Sequence, residues 1–381
     1  MTVTAPTKSR KAGTGTMLLA AVIGLGVAAP ASAAVSPAVG KALQAAQSAA
    51  RAGNNAAAIN AVNQARTAAK TPEERDKSAQ MAAYVFTQAG RYADAASALQ
   101  SVGAGPSQLA PLYYRAGQYD KAIAEARKGG GEQMQILIAQ ALMRKGDNKG
   151  AVAAYQGLIK ANGPKPMYLE NLAGMQFKAG DKAGYLATTE RLVRADSSPK
   201  RWQTLLANFR QNPLRPEAKL AMYHLMQATG NLTTPADQME FAKLALVANQ
   251  AGTAKAALAK SEIGADAMSQ RLVQAADQMA AKAVGEAPKL AATPATAFKG
   301  GGAYFGQGQY AKAMQAYDVA AKGGGAVGDQ AMLFKGIAAL KAGNVAAGRK
   351  AFDGVGEKFG MFEIAHLWDL YAQTRGAVSA T

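Results

Sequence analysis

Ala116-Gly117-Gln118-Tyr119-Asp120-Lys121-Ala122-Ile123 decides the fold. A helical pattern runs into glycine, which enters the left-handed region without a Cβ clash and so ends the helix. Tyr119 follows to cover the turn, and small Ala122 lets the next helix approach closely. The same figure recurs at Gly53 (GNNAAAI), Gly90 (GRYADAA), Gly146 (GDNKGAV), Gly180 (GDKAGYL), Gly252 (GTAKAAL), Gly308 (GQYAKAM) and Gly343 (GNVAAGR). Successive anchors lie 37, 27, 29, 34, 72, 56 and 35 residues apart, and self-similarity at intervals of this size is the mark of a repeat architecture. The interval from Gly180 to Gly252 spans two units, which predicts a degenerate hairpin turning near Pro213. The interval ending at Gly308 holds no whole number of units.

Seven residues before each glycine stands a small residue: Ala46, Ala83, Ala110, Ala139, Ala173, Ala245, Gly301 and Gly336. Antiparallel helices need small side chains where they cross. A hairpin of this kind is apolar on two sides and buries both only between neighbours, so the repetition predicts stacked helical hairpins. No segment alternates as a strand.

Gly117-Gln118-Tyr119-Asp120-Lys121-Ala122, Gly308-Gln309-Tyr310-Ala311-Lys312-Ala313 and Gly90-Arg91-Tyr92-Ala93-Asp94-Ala95 resemble the turn of the tetratricopeptide repeat (TPR). The remaining anchors keep the glycine and the small residue but lose the tyrosine. The closing proline of the family is mostly missing, although Pro164 and Pro199 lie about where it belongs. The reading is all-α: a right-handed TPR-like α-solenoid of about nine or ten stacked antiparallel hairpins. The resemblance covers most of residues 36–375. It implies a binding scaffold and leaves the ligand open.

The chain has 381 residues, no cysteine and two histidines, His224 and His366, far apart in sequence. Disulfides, thiolate chemistry and zinc ribbons are excluded, and imidazole-based triads and metal sites are not expected. No Gly-x-Ser-x-Gly, His-Glu-x-x-His or paired catalytic carboxylates are present, and Glu73 and Glu74 read as first-turn residues of a helix opened by Thr71-Pro72. Gly306-Gln307-Gly308-Gln309-Tyr310-Ala311 fits the spacing of a dinucleotide fingerprint but follows no strand, and the repeat register explains it. The expectation is therefore no enzyme, no catalytic residues, no cofactor and no metal.

Lys8, Arg10 and Lys11 precede an apolar run, Met17–Ala29, that ends in Ala31-Ser32-Ala33. This is the pattern of a secretory signal peptide over residues 1–33, cleaved after Ala33. Its apolar run is short of the ~20 residues that span a bilayer, and no later segment is a candidate transmembrane segment. The expected address is a bacterial periplasm, with secretion beyond the outer membrane open. Residues 34–284 then form the repeat stack, 285–296 a linker-like loop, and 297–381 further hairpins and a helix from Met361 that caps the open end. Gly300–Gly302 predicts a late or loose start to the helix before Gly308.

Net charge is +18. Outside the cytoplasm nucleic acid is no candidate partner, which leaves acidic proteins, anionic glycans and lipid headgroups. Basic residues stand two positions before the turn glycine at Arg51, Arg115, Arg144, Lys178 and Lys341, and Tyr114 and Phe177 precede two of them. In the TPR family, positions near the end of the first helix can face the concave groove. The column therefore has two readings. It is a partner-binding ladder, or it is helix-end electrostatics worth ~0.3–1 kcal/mol per cation. Two functions stay open: a noncatalytic scaffold that binds a protein or peptide in the cell envelope through its concave face, and an accessory factor that binds an anionic envelope polymer, such as peptidoglycan or an acidic exopolysaccharide, through a basic surface.

Overall fold

A computed structural model describes residues 35–210, 214–260 and 267–378. The expected leader and Pro213 lie outside them. The described residues hold helices and turns with no strand, the make-up of an α-solenoid, and they divide into two compact units between Ala104 and Gly105.

The first unit contains α1 (Pro37–Arg51), α2 (Asn55–Ala68), α3 (Pro72–Gln88) and α4 (Tyr92–Gln100), packed as two hairpins. Thr71 caps α3, and the Glu74 side chain reaches back to the Thr71 N–H, closing a capping box. The same carboxylate accepts from the N–H of Lys70 at 2.8 Å and of Ser36 at 2.9 Å, so it ties the start of α1 to the start of α3.

The second unit opens with three hairpins: α5 (Pro106–Arg115) and α6 (Tyr119–Gly129), α7 (Gly131–Lys145) and α8 (Asn148–Asn162), α9 (Pro166–Lys178) and α10 (Lys182–Ala195). Then come α11 (Pro199–Phe209), α12 (Pro216–Ala228), α13 (Pro235–Val247), α14 (Ala251–Lys260), α15 (Ala267–Leu290), α16 (Pro294–Gly306), α17 (Tyr310–Ala321), α18 (Gly325–Lys341), α19 (Val345–Asp353) and α20 (Phe362–Val378). Pairs 13–14, 16–17 and 18–19 are hairpins, so the described residues hold eight hairpins and four single helices rather than nine or ten hairpins. The turn expected near Pro213 lies outside the described residues, and the helices on either side, α11 and α12, do not pack as a pair.

The column of small residues works as a socket. A Cβ at Gly301 would lie 2.6 Å from the Tyr317 ring, one at Gly336 would strike the Phe352 ring, and Ala139 packs in one cluster with Tyr155. Each ring stands sixteen residues after its small residue, on the second helix of the hairpin.

Four expectations need correction. The turn before α14 is made by Asn249 at φ 59°, and Gly252 is helical, lying against the Gly306 carbonyl of α16. Asparagine is the other residue that tolerates the left-handed region, so the turn moved three residues upstream. The Gly300–Gly302 run does not loosen α16. All three are buried, against the backbone of Leu290 and Ala291, the Tyr317 ring and the Ala248 carbonyl, so they serve close helix approach. Residues 285–290 complete α15 and Pro294 opens α16, which reduces the linker of 285–296 to a three-residue turn. Finally, α20 does more than cap the stack.

That last helix packs on α19 and α18 and also on α10 and α12. Trp368 donates its indole N–H to the Ala221 carbonyl of α12 at 3.1 Å, and Tyr371 its hydroxyl to the Ala228 carbonyl at 3.3 Å. The Tyr371 ring meets Trp202 of α11 at 5.9 Å. His366 pairs with Glu190 of α10 at 3.0 Å, and Arg194 bonds Gln373. Helix α12 is the object enclosed: Leu220 through Met226 are all buried, against α13, α18 and α20. A helix apolar on every side belongs inside a core. His224 is the one polar exception. Its ring is edge-on to Phe241 at 4.8 Å, Phe305 at 5.2 Å and Phe334 at 6.0 Å, and Nε2 meets the Gln250 Oε1 at 2.8 Å.

Candidate functional site

From α12 onward the second unit is filled by its own helices, so its open surface near the predicted residues belongs to hairpins α5–α10. Gly117 adopts φ 73°, which brings Tyr114, on the last turn of α5, to the start of α6. There its ring lies 5.8 Å from Tyr119 at 62°. Lys145 at the end of α7 reaches Asp120 of α6 at 2.5 Å and ties the two turns together.

Arg144 is the exposed neighbour of Lys145. Its guanidinium faces the Tyr114 hydroxyl, which with Tyr119 holds it above its usual pKa. Asp147, the next acid along, is engaged as the N-cap of α8, accepting from Gly150 N at 2.8 Å. Among the described residues no carboxylate lies within 4.0 Å of Arg144, Lys178 or Lys182. Behind the two tyrosines, Tyr155 of α8 is completely buried against Ala139, Tyr168 and Leu172. Burial, with the Tyr114 charge adding, pushes its phenol up to about 12, and its hydroxyl has no partner among the described residues. In the next hairpin Phe177 is 71% exposed, its ring 5.6 Å from Tyr185, with Lys178 exposed beside it. Met167, 46% exposed, stands at the other end of α9.

The structure therefore brings Tyr114 and Arg144 together and sets Phe177 and Lys178 on the helix α9. Arg115 ends α5, exposed and engaged with other groups. Lys341 ends α18, whose neighbours are α12, α16, α17, α19 and α20, and its charge acts on buried His224. It is not part of the α5–α10 surface. Arg51 ends α1 in the first unit. Sequence reasoning missed Tyr119 and Tyr185 as parts of this surface and Tyr155 as buried core beneath it. No local signal sets Tyr155 apart, since Tyr317 fills the matching socket at Gly301 with a hydroxyl that is likewise buried. Among the described residues no three His, Cys, Asp or Glu side chains gather as a metal site, and no helix is long and apolar enough to cross a membrane.

The fold and its sockets define a TPR-like helical repeat protein. The tetratricopeptide repeat family profile matches residues 136–200 and 298–357, which include Arg144, Tyr155, Phe177 and Lys178 in the first stretch and Lys341 in the second. Solved structures with similar folds include Naa15/Naa10 bound to HypK-THB, at 14% identity and TM-score 0.39, covering 88% of this chain and 63% of that one. They also include a tetratricopeptide repeat protein from Parabacteroides merdae, at 13% identity and TM-score 0.20, covering 77% and 99%. Yeast Tom70 is similar at 10% identity and TM-score 0.23, covering 89% and 96%. The chain thus spans under two thirds of the Naa15 complex chain it matches. No curated protein sequence matches it. Repeats of this class suggest a protein–protein interaction scaffold and are generally noncatalytic.

Proposed function

We propose that this protein is a noncatalytic scaffold, exported to the periplasm, that binds a protein or peptide partner across the turn-end surface of α5–α10. The observation that carries the reading is the exposed Phe177 beside Lys178, with Arg144 in the preceding hairpin, and no carboxylate answering either cation. An exposed aromatic flanked by uncompensated charge is a surface suited to a partner. The export reading rests on Lys8, Arg10 and Lys11, the apolar run and Ala31-Ser32-Ala33.

A photoreactive benzoylphenylalanine at position 177, expressed in the native cell, tests the binding surface. A discrete protein adduct is expected there and none from the same probe at exposed Gln156 on α8. Equal labelling at both positions, or none, contradicts the reading. Mass spectrometry of the native protein tests export, with a mature chain beginning at Ala34 expected. The net charge of +18 favours a second reading, attachment to an anionic envelope polymer. That reading predicts salt-reversible retention on purified cell wall that Arg144→Glu and Lys178→Glu abolish.

A further inference from the structure

We propose that the second helices of the α5–α10 hairpins carry a binding strip for a carboxylated polysaccharide, formed by Arg127 on α6, Lys149 and Lys160 on α8, and Arg191 on α10. The strip is separate from Arg144 and Lys178 and goes beyond both readings above. All four side chains are exposed, each on a helix whose other side is core. In α8 the buried residues are Ala151, Tyr155 and Leu158, and Lys149, Ala153 and Lys160 recur at helical spacing on the opposite side. In α10 Thr188, Leu192 and Val193 are buried, and Ala187 and Arg191 are exposed. Helices α8 and α10 both pack on α9, which makes them neighbours in the stack.

The charge on these helices is one-sided. Their acids are already engaged: Asp120 with Lys145 at 2.5 Å, Glu125 with Lys128 at 2.8 Å, Glu190 with His366 at 3.0 Å, and Asp147 and Asp181 as the N-caps of α8 and α10. Among the described residues no carboxylate lies within 4.0 Å of Arg127, Lys149, Lys160 or Arg191. Helices α8 and α10 expose no acidic side chain, whereas α17 and α19, also second helices, expose Asp318 and Asp353. The surplus of cations is therefore gathered on particular helices and is not spread evenly over the unit.

The surroundings select the ligand. Lys149 and Lys160 stand about 16 Å apart along the helix, and exposed Ala153, Gln156 and Gly157 lie between them. Small side chains let a polymer chain lie close while the cations hold its charges at separate points. Lysine is a point charge on a flexible stem and tolerates a polymer that binds in more than one register. Widely spaced single charges match a chain with one carboxylate on a sugar ring better than duplex DNA, which carries a charge per ~1.7 Å. None of the large exposed hydrophobic side chains among the described residues lies on α6, α8 or α10. The strip thus offers no exposed ring for a base to stack on and no large apolar side chain to enter a bilayer.

The test measures binding of the full chain to fluorescein-labelled alginate, a linear polyuronate, by anisotropy at low and high salt. Wild type is expected to bind alginate in a salt-sensitive way and to ignore neutral dextran of equal length. Arg127→Glu, Lys149→Glu, Lys160→Glu and Arg191→Glu together should weaken binding roughly a hundredfold at low salt, the scale of several cations at an anionic surface. The same four residues changed to Gln, a milder set, should weaken it about tenfold. A control reverses four other exposed lysines of the unit to Glu, Lys243, Lys299, Lys322 and Lys350, and so changes the net charge by the same amount as the first set. It should cost under about threefold, and every variant should keep the wild-type circular dichroism. Equal losses in the strip and control sets would reduce attachment to net charge and overturn the strip. Loss with Arg144→Glu and Lys178→Glu but not with the strip set would also overturn it, and would leave the polymer reading above standing. Binding to phosphatidylglycerol vesicles or single-stranded DNA as tight as to alginate overturns the choice of ligand. No alginate binding overturns the strip, while the photocrosslink at position 177 decides the scaffold reading separately.

Discussion

Gly→Ala substitutions at two helical positions should change stability in opposite directions. A Cβ at Gly300 would lie 2.5 Å from the Ala291 nitrogen and 2.8 Å from both Ala291 Cα and the Leu290 carbonyl carbon. Ordinary contacts begin near 3.4 Å, so α16 must move away from the end of α15 by most of an ångström, and backbone atoms have no rotamer by which to yield. Overpacking of this kind costs about 1–3 kcal/mol or more. The alanine recovers about 1 kcal/mol of helix propensity. With three backbone atoms involved the upper part of the range applies, and Gly300→Ala should destabilise by about 2 kcal/mol net. Gly302→Ala, whose Cβ meets the Ala248 carbonyl, should do the same. Gly157 lies mid-helix in α8 with nothing within 4 Å of a built Cβ, so Gly157→Ala should stabilise by up to about 1 kcal/mol. Urea melts followed by circular dichroism give the sign for each variant. A Gly300→Ala chain as stable as wild type, or more so, would refute the claim that this glycine run exists for close approach.

The other predictions concern charge and the enclosed helix. Burial holds His224 down at about 3 against 6.5 in the unfolded chain. Its neutral form is the folded one, so its contribution is complete above pH 6.5 and declines as pH falls; between pH 7 and 4 the loss is about 3 kcal/mol, and His224→Leu should flatten that slope in urea midpoints. His366 has the opposite sign. Its bond to Glu190 raises its pKa, so the stabilisation is present below 6.5 and is lost as pH rises through the raised value; being half-exposed it contributes under about 1 kcal/mol, removed by Glu190→Gln. Glu74 is held down at about 2, chiefly by Ser36 and Lys70. Its contribution is present above 4.5 and lost as pH falls toward 2, so Glu74→Gln should speed amide exchange at Ser36, Lys70 and Thr71 at neutral pH. Trp368→Ala removes a fully buried ring and the bond to Ala221, and should cost about 3–5 kcal/mol by denaturant titration.

The hairpins were legible because their determinants are local. Gly53, Gly90, Gly117, Gly146, Gly180, Gly308 and Gly343 all take positive φ at the expected turns. Asn249 escaped because asparagine makes the same turn without the glycine signature. What the sequence hid depends on contacts between distant segments. Leu220–Met226 is an uninterrupted buried run, and such a run announces a core helix, but nothing local says that Trp368 and Phe334 close around it. The Gly300–Gly302 run reads as weakness until the opposing backbone is seen. At the candidate site the same division holds: Arg144 stands in a column visible in the repeat and Tyr114 one residue ahead of the matching position, while nothing local says that the two meet across neighbouring hairpins.

Amide hydrogen exchange across the isolated chain tests most directly whether the C-terminal half is packed on its own central helix, leaving the partner surface to α5–α10. Residues 220–226 should be among the slowest to exchange, opening only with the unit as a whole, and the amides of α20 from Leu367 to Tyr371 should open together with them. Exchange in α12 as fast as in the exposed outer helix α15, or release of α20 long before α12, would contradict it.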